Sequence, residues 1–135
     1  MSQEEWTPPK IGSPVWIEIF ATDLDRAEKF YSTVFGWHFP SAKGKRTEEI
    51  ALFEFQDPGL KSLGGGLTKV KPEEITTGQN STKLYIYVEN LDRAVEKIIA
   101  NGGKKCTERE PEGDHGEIIR CEDSEGNALG IYASK

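Results

Sequence analysis

The stretch ATDLDRAEKFYSTVFGW, residues 21–37, has a counterpart later in the chain, VENLDRAVEKIIANGGK, residues 88–104. Both contain the tetrapeptide Leu-Asp-Arg-Ala, followed by apolar residues at helical spacing and then by glycine. At the offset that places the two tetrapeptides together, Asp23 falls on Asn90, and both residue types cap helix N-termini. The same offset places Gly36 on Gly103, just past each predicted helix. Because the agreement spans cap, helix and terminating glycine, the sequence predicts an internal duplication.

Each copy is surrounded by segments that favour β-strands. An alternating apolar segment precedes each cap, with Ile17 and Ile19 in the first copy and Leu84 and Ile86 in the second. Short strand candidates follow each helix: Trp37–Phe39, Ile50–Gln56 and Leu63–Thr68, then Lys104–Thr107, Glu117–Cys121 and Ala128–Tyr132. A turn is predicted at Pro111–Gly113, before the second of the later three.

The predicted fold is therefore α+β and consists of two βαβββ modules. The first module covers residues 13–69 and the second covers residues 82–135. An N-terminal arm, residues 1–12, precedes them, and a polar linker, residues 70–81, joins them.

Composition excludes several classes of partner. The 135 residues carry a net charge of −6, without a basic run, which argues against binding to nucleic acid. The apolar runs are far too short to span a bilayer, so we expect no membrane partner. The first ten residues lack the apolar segment of a secretory signal, so we expect a cytoplasmic protein. In that compartment Cys106 and Cys121 are expected to be reduced, inert thiols.

The duplicated plan resembles the vicinal oxygen chelate superfamily, which includes glyoxalase I, extradiol dioxygenases and bleomycin- or fosfomycin-resistance proteins. The resemblance rests on DLDRAEKFYSTVFGW, residues 23–37, after the first strand, and on DSEGNALGIY, residues 123–132, near the end of the chain. It covers about residues 13–133. The resemblance implies that the mixed sheet of each module curls into a half-cup, and that the two modules enclose a shared cavity for a small molecule.

The resemblance also identifies where a metal would be held. Metal-dependent members of the superfamily place four His, Gln or Glu ligands on the first and last strands of the modules. The matching positions in this chain are Trp16, Gly66, Lys83 and Gly130. One Trp, one Lys and two Gly do not provide the nitrogen and oxygen ligands of a divalent metal. We therefore expect neither the metal centre of the superfamily nor another cofactor.

Strand alternation predicts which side chains line the cup, because residues two apart share a face. If Trp16 points inward, then Glu18 and Phe20 do so too. By the same parity the second module contributes Lys83, Tyr85, Tyr87, Gly130 and Tyr132. This face is aromatic, with one carboxylate and one ammonium, and it suits a flat or apolar organic molecule.

Two functions follow from these residues. The first is a glyoxalase- or bleomycin-resistance-like protein that binds a small, aromatic or apolar molecule in a metal-free cup. The alternative is a lyase or isomerase of the glyoxalase type, using Glu18 as general acid or base, or an atypical divalent metal held by His38, His115 and acids. Glu18 could equally form a static ion pair with Lys83. In either case the resemblance implies a homodimer.

Overall fold

The computed structural model describes residue 11 and residues 14–76 and 84–135 of the chain. Most of the predicted arm, the end of the predicted linker and Lys83 lie outside the described residues. The described residues form two α-helices and eight strands, and the predicted α+β class is confirmed. In chain order these elements are β1 (Trp16–Ala21), α1 (Leu24–Phe35), β2 (Ile50–Glu54), β3 (Gly64–Lys69), β4 (Leu84–Tyr87), α2 (Leu91–Ala100), β5 (Lys104–Lys105), β6 (Glu110–Glu112), β7 (Gly116–Glu122) and β8 (Ala128–Ser134).

Both α-helices begin where the repeat predicts. The side chain of Asp23 accepts a hydrogen bond of 3.0 Å from the backbone N–H of Arg26. Asn90 accepts the equivalent bond from Arg93, also at 3.0 Å. Each cap satisfies a backbone donor that the first turn of a helix leaves without a partner.

The two helices end differently. α1 ends at Gly36, which adopts the left-handed conformation with φ 73°. α2 is shorter, and its left-handed glycine is Gly102, with φ 94°, not the Gly103 that the offset predicts. Gly103 instead permits close packing, because a Cβ there would lie 2.6 Å from the carbonyl oxygen of Glu122. Neither helix has the length and apolar character needed to cross a membrane, and the described residues contain no other that does.

Each module forms one mixed sheet. In the first sheet the strand order is β1-β3-β2, with β1 parallel and β2 antiparallel to β3. In the second the order is β4-β8-β7-β5, with β4 parallel to β8 and β7 antiparallel to it; β6 pairs with β7. The first and last strands of each module are thus neighbours, as the two-module plan requires. This pairing brings the predicted inward-facing positions of those strands side by side.

One face of each sheet packs against the helices and forms the core. In β1, Ile19 and Ala21 are buried, whereas Trp16, Glu18 and Phe20 on the opposite face are exposed. The core also contains the fully buried side chains of both modules, Phe30, Leu67, Ile98 and Ile131. Burying one such side chain stabilises the fold by about 1.5–3 kcal/mol, so the helix-facing side of the sheets determines stability.

A polar cluster joins the two modules at the turn between β7 and β8. Glu125 in this turn accepts hydrogen bonds from the backbone N–H groups of Thr22 (2.9 Å) and Asp23 (3.0 Å), at the start of α1. Its carboxylate also pairs with Nε of Arg26 at 2.7 Å. Burial raises the pKa of Glu125, but the bonds from Arg26 and the two backbone donors outweigh that effect, so the pKa is lowered.

The same turn makes a second set of buried contacts. The hydroxyl of Tyr31 on α1 donates to Asp123 at 2.6 Å. The Asn127 amide donates to Asp123 at 3.0 Å and to the carbonyl oxygen of Phe20 at 2.7 Å. Burial raises the pKa of Asp123, although these donors act against it. We refer to Asp123, Glu125 and Asn127, with their partners Tyr31 and Arg26, as the inter-module clasp.

Two local predictions are wrong. The predicted strand Trp37–Phe39 is reduced to one bridge between His38 and Glu54. Trp37 is buried and stacks on Tyr31, with ring centroids 4.7 Å apart, so packing of the indole determines the path of this segment. The turn predicted at Pro111–Gly113 lies later, because Glu110–Glu112 pairs with β7 and the chain reverses at Gly113, with φ 64°.

Candidate functional site

The face of each sheet that points away from the helices carries exposed aromatic side chains. On β1, Trp16 is 53% exposed and Phe20 is 38% exposed. On β4, Tyr85 is 42% exposed and Tyr87 is 67% exposed. Large aromatic side chains normally bury much of their surface, so these two faces are the candidate binding surfaces of the chain. We call them the first and the second aromatic face.

The first aromatic face places Glu18 beside glycine. The register sets Glu18 against Gly66 and Trp16 against Gly64. The Glu18 carboxylate accepts a hydrogen bond of 3.0 Å from the hydroxyl of Thr68. Glu18 is exposed. A single chain therefore does not give this carboxylate the dry surroundings that would make it an effective general base.

The second aromatic face is built around Tyr85, Tyr87 and Tyr132. The register sets Tyr85 against Gly130 and Tyr87 against Tyr132. The rings of Tyr87 and Tyr132 lie 6.3 Å apart between centroids and are inclined by 38°. The Tyr87 hydroxyl is 3.1 Å from the Ser134 hydroxyl, which anchors the tip of the ring. Lys83, the predicted ammonium of this face, lies outside the described residues.

The residues at the superfamily's metal positions do not fit a metal. A side chain at Gly130 would begin 2.3 Å from two ring carbons of Tyr85, so the tyrosine occupies the space of a ligand. At Gly66 the side chains of Ile50 and Leu52 lie within 3.3 Å of a Cβ position. Between residues 14 and 76 and residues 84 and 135, no three His, Cys, Asp or Glu side chains are grouped as metal ligands.

The two histidines lie in different modules. Nε2 of His38 lies 3.7 Å from Oε1 of Glu54, and both side chains are about half exposed. His115 is exposed in the turn after Gly113, where its carbonyl oxygen accepts from the backbone of Lys135. A metal site that uses both histidines thus finds no support in the described geometry.

The thiols lie at neighbouring strands. Cys106 is exposed, whereas Cys121 is buried. Burial raises the pKa of Cys121 to about 11, so its thiol stays neutral near pH 7. A neutral, buried thiol is a poor nucleophile, which leaves Cys121 as part of the core.

Two pockets adjoin the aromatic faces. One, of about 300 Å³, lies at the start of β1 and includes Trp16, Leu52 and Gly64 in its wall. The other, of about 440 Å³, is lined by Tyr85, Tyr87, Glu112, Ile118 and Tyr132. Each pocket is formed by a single module. Whether the two faces enclose one cavity stays a prediction.

Sequence reasoning missed part of the second face. Arg120 pairs with Gly130 across β7 and β8, so its side chain lies on this face. Its Nη1 bonds to Glu110 at 3.1 Å. The pKa of Arg120 is raised, mainly by the bond to Glu110 and to a lesser extent by the neighbouring Tyr85. Strand parity on β7 could have assigned Arg120 and Ile118 to the face, but the contribution of Glu112 depends on β6, which the sequence did not predict.

A family model and a related protein both match this chain as a glyoxalase-like or glyoxylase-like domain. A family model described as a glyoxalase-like domain matches residues 15–132. A glyoxylase-like domain-containing protein of Didymella fabae is 35% identical over 85% of this chain and 88% of its own length. A Mycobacterium bovis relative is 27% identical over 90% of this chain, which spans only 45% of that relative.

Solved structures share the fold. The crystal structure of a glyoxalase/bleomycin resistance protein/dioxygenase family enzyme from Burkholderia phytofirmans superposes with a TM-score of 0.70. The match covers 90% of this chain and 98% of that chain, at 18% sequence identity. A similarity at this level of identity establishes the architecture and leaves the reaction open.

Proposed function

The chain belongs to the glyoxalase-like domain family, with the fold of the vicinal oxygen chelate superfamily, and from that premise we propose that it binds a small aromatic or apolar organic molecule without a metal. The observation that carries this proposal is the pair of exposed aromatic faces. Trp16 and Phe20 on β1, and Tyr85 and Tyr87 on β4, stand on the sheet faces that the helices leave uncovered.

The geometry at the glycines supports a metal-free site. Where the superfamily holds metal ligands, Gly130 is covered by Tyr85, and Gly66 by Ile50 and Leu52. Aromatic and aliphatic groups thus occupy the positions from which ligands would project. Such surfaces bind ligands by stacking and apolar burial, with a few polar groups for orientation. Glu18 and Thr68 are such groups on the first face.

A lyase or isomerase reaction through Glu18 is the alternative that belongs to the same family. It requires that Glu18 lose contact with water when the ligand or a second chain covers the first aromatic face. Exposure of Glu18 in the single chain makes binding without chemistry the better supported function.

The test is a thermal-shift screen of the purified chain with small aromatic molecules and, separately, with Ni²⁺ and Zn²⁺. We expect aromatic ligands to raise the melting temperature, because a ligand that binds the folded state stabilises it by mass action. The metals should leave the melting temperature nearly unchanged, since the proposed site offers them no ligands. Stoichiometric metal in the purified protein, measured by elemental analysis, would contradict the metal-free site.

Variants then locate the binding surface. Stacking on one ring contributes about 0.5–1.5 kcal/mol beyond burial. Trp16→Ala or Tyr85→Ala should therefore lower the affinity for a ligand found in the screen about two- to tenfold, as measured by calorimetric titration. Ile99→Ala is the matched control, because Ile99 is 56% exposed but lies on α2, away from both faces. A hit that binds folded Trp16, Tyr85 and Tyr87 variants with unchanged affinity would place the site elsewhere.

A further inference from the structure

The pocket of the second aromatic face has an unusual combination of walls. Five residues line its volume of about 440 Å³: Tyr85, Tyr87, Glu112, Ile118 and Tyr132. Three are tyrosines, and Glu112 is the one charged residue among the five. A pocket for an uncharged apolar molecule would not need a carboxylate in its wall, because placing an apolar group against a carboxylate costs hydration of the charge.

Two of the tyrosine rings rest on glycines. A Cβ at Gly130 would lie 2.3 Å from Tyr85 ring carbons, and one at Gly116 would lie 2.3 Å from Cζ of Tyr132. The rings therefore lie close to the backbone. Any residue other than glycine at these two positions would place its Cβ in the space that the ring occupies. Since Tyr87 stands beside Tyr132, inclined by 38°, the rings form inclined walls around the pocket.

The charges of the described residues around these rings favour a cation. The face of an aromatic ring carries partial negative charge, and several rings around one site attract an ammonium group. Glu112 is held beside Tyr132, because Glu112 pairs with Gly116, on which that ring rests. The cation of Arg120 lies beside Tyr85, and its bond of 3.1 Å to Glu110 offsets that positive charge. The chain as a whole carries a net charge of −6, which also favours a positively charged ligand.

We infer that the second-face pocket binds an organic cation, a small molecule that carries a methylated ammonium group, with the tyrosines around the cation and Glu112 as its counter-charge. This inference rests on the proposed function, since it specifies the ligand class of one of the two aromatic faces. An ammonium with methyl groups suits these walls because its charge is spread over an apolar surface. The methyl groups pack against the rings while the carboxylate faces the charge.

The test compares two probes of equal shape, choline and its uncharged carbon isostere dimethylbutanol. Each is titrated into the full chain at millimolar concentration, and binding is followed by calorimetry and by NMR shifts of the tyrosine rings. Choline should bind about tenfold more tightly than the isostere. Glu112→Gln should weaken choline about three- to tenfold and leave the isostere unchanged. Glu96→Gln, at an exposed position on α2, is the matched control and should change neither.

A second pair of variants separates the ring from its hydroxyl. Tyr87→Leu should reduce the preference for choline, whereas Tyr87→Phe should retain it, because the ring and not the bond to Ser134 attracts the cation. Circular dichroism verifies that both variants are folded.

The outcomes distinguish this inference from the proposed function. Equal affinity for choline and the isostere, no choline binding, or a choline affinity that Glu112→Gln leaves unchanged overturns the organic-cation site. If uncharged aromatic ligands still bind in a way that depends on Trp16 or Tyr85, the proposed function stands without it. If no organic probe responds to changes on either aromatic face, both fail.

Discussion

At the scale of single residues, Glu125 connects the second module to the start of α1 in the first. Its side chain is fully buried, accepts from two backbone donors and pairs with Arg26, which is half exposed. Glu125→Ala should lower the free energy of unfolding by about 2–4 kcal/mol, because it leaves those donors without an acceptor while Arg26 can turn to water. Urea denaturation measures the loss. The exposed Glu96→Ala should stay within about 0.5 kcal/mol of the wild type, and equal losses would contradict the role of the clasp.

The charge of Glu125 also predicts a pH dependence. Its pKa is lowered in the folded chain, so the carboxylate stabilises the fold above the unfolded pKa of ~4.3. That stabilisation is lost as the pH falls through the lowered folded pKa. The stability difference between wild type and Glu125→Gln should therefore be constant near neutral pH and shrink below about pH 4. A difference that grows on acidification would contradict this assignment. The pKa of Asp123 is raised, so its effect on stability changes with pH in the opposite direction. Because Asp123 is present in both proteins, it does not account for the difference between them.

The pairing of β4 with β8 depends on a glycine that accommodates a ring. Gly130→Ala forces Tyr85 to move, because the new Cβ would lie 2.3 Å from the ring, and overpacking of this kind costs about 1–3 kcal/mol. Gly64→Ala is the matched control on β3, since its Cβ would meet neighbours at ordinary contact distances of 3.6 Å or more. We expect the control to be neutral or slightly stabilising.

A double mutant tests the cause of that cost. In Gly130→Ala combined with Tyr85→Ala the ring is absent, so the double mutant should lose less stability than the two single mutants together. Chemical denaturation of the four proteins gives the coupling energy. Additive losses would mean that the cost of Gly130→Ala comes from the backbone and not from Tyr85.

At the scale of the molecule, the described residues leave two aromatic faces open, and we expect a homodimer to cover them. Four exposed aromatic side chains on two sheets form the kind of apolar surface that marks association. Light scattering at micromolar concentration should give a mass near twice the 15.1 kDa of one chain. Phe20→Lys should shift the mass toward the monomer, whereas Ile99→Lys on α2 should not. A mass near 15.1 kDa for the wild type would exclude a stable dimer.

Local patterns of the chain were sufficient to predict both helices and the two faces of β1. Asp23 and Asn90 begin the helices because a side-chain acceptor at that place bonds to the first turn whatever surrounds it. The alternation of Trp16, Ile17 and Glu18 reports which side of β1 is buried, because the strand period is a property of the backbone. Duplication of these signals was enough to predict two modules and the α+β class.

Tertiary structure decided everything that depends on residues distant in sequence. The path of Trp37 depends on its packing against Phe53 on β2, with ring centroids 4.7 Å apart, which overrides the local preference for a strand. Glu125 joins the modules across about a hundred residues of chain, and no periodicity signals such a bond. The packing of the Tyr85 ring against Gly130 could not be predicted from the sequence either. A glycine reports only the absence of a side chain, and which neighbour fills that space is determined by the packing of the folded chain.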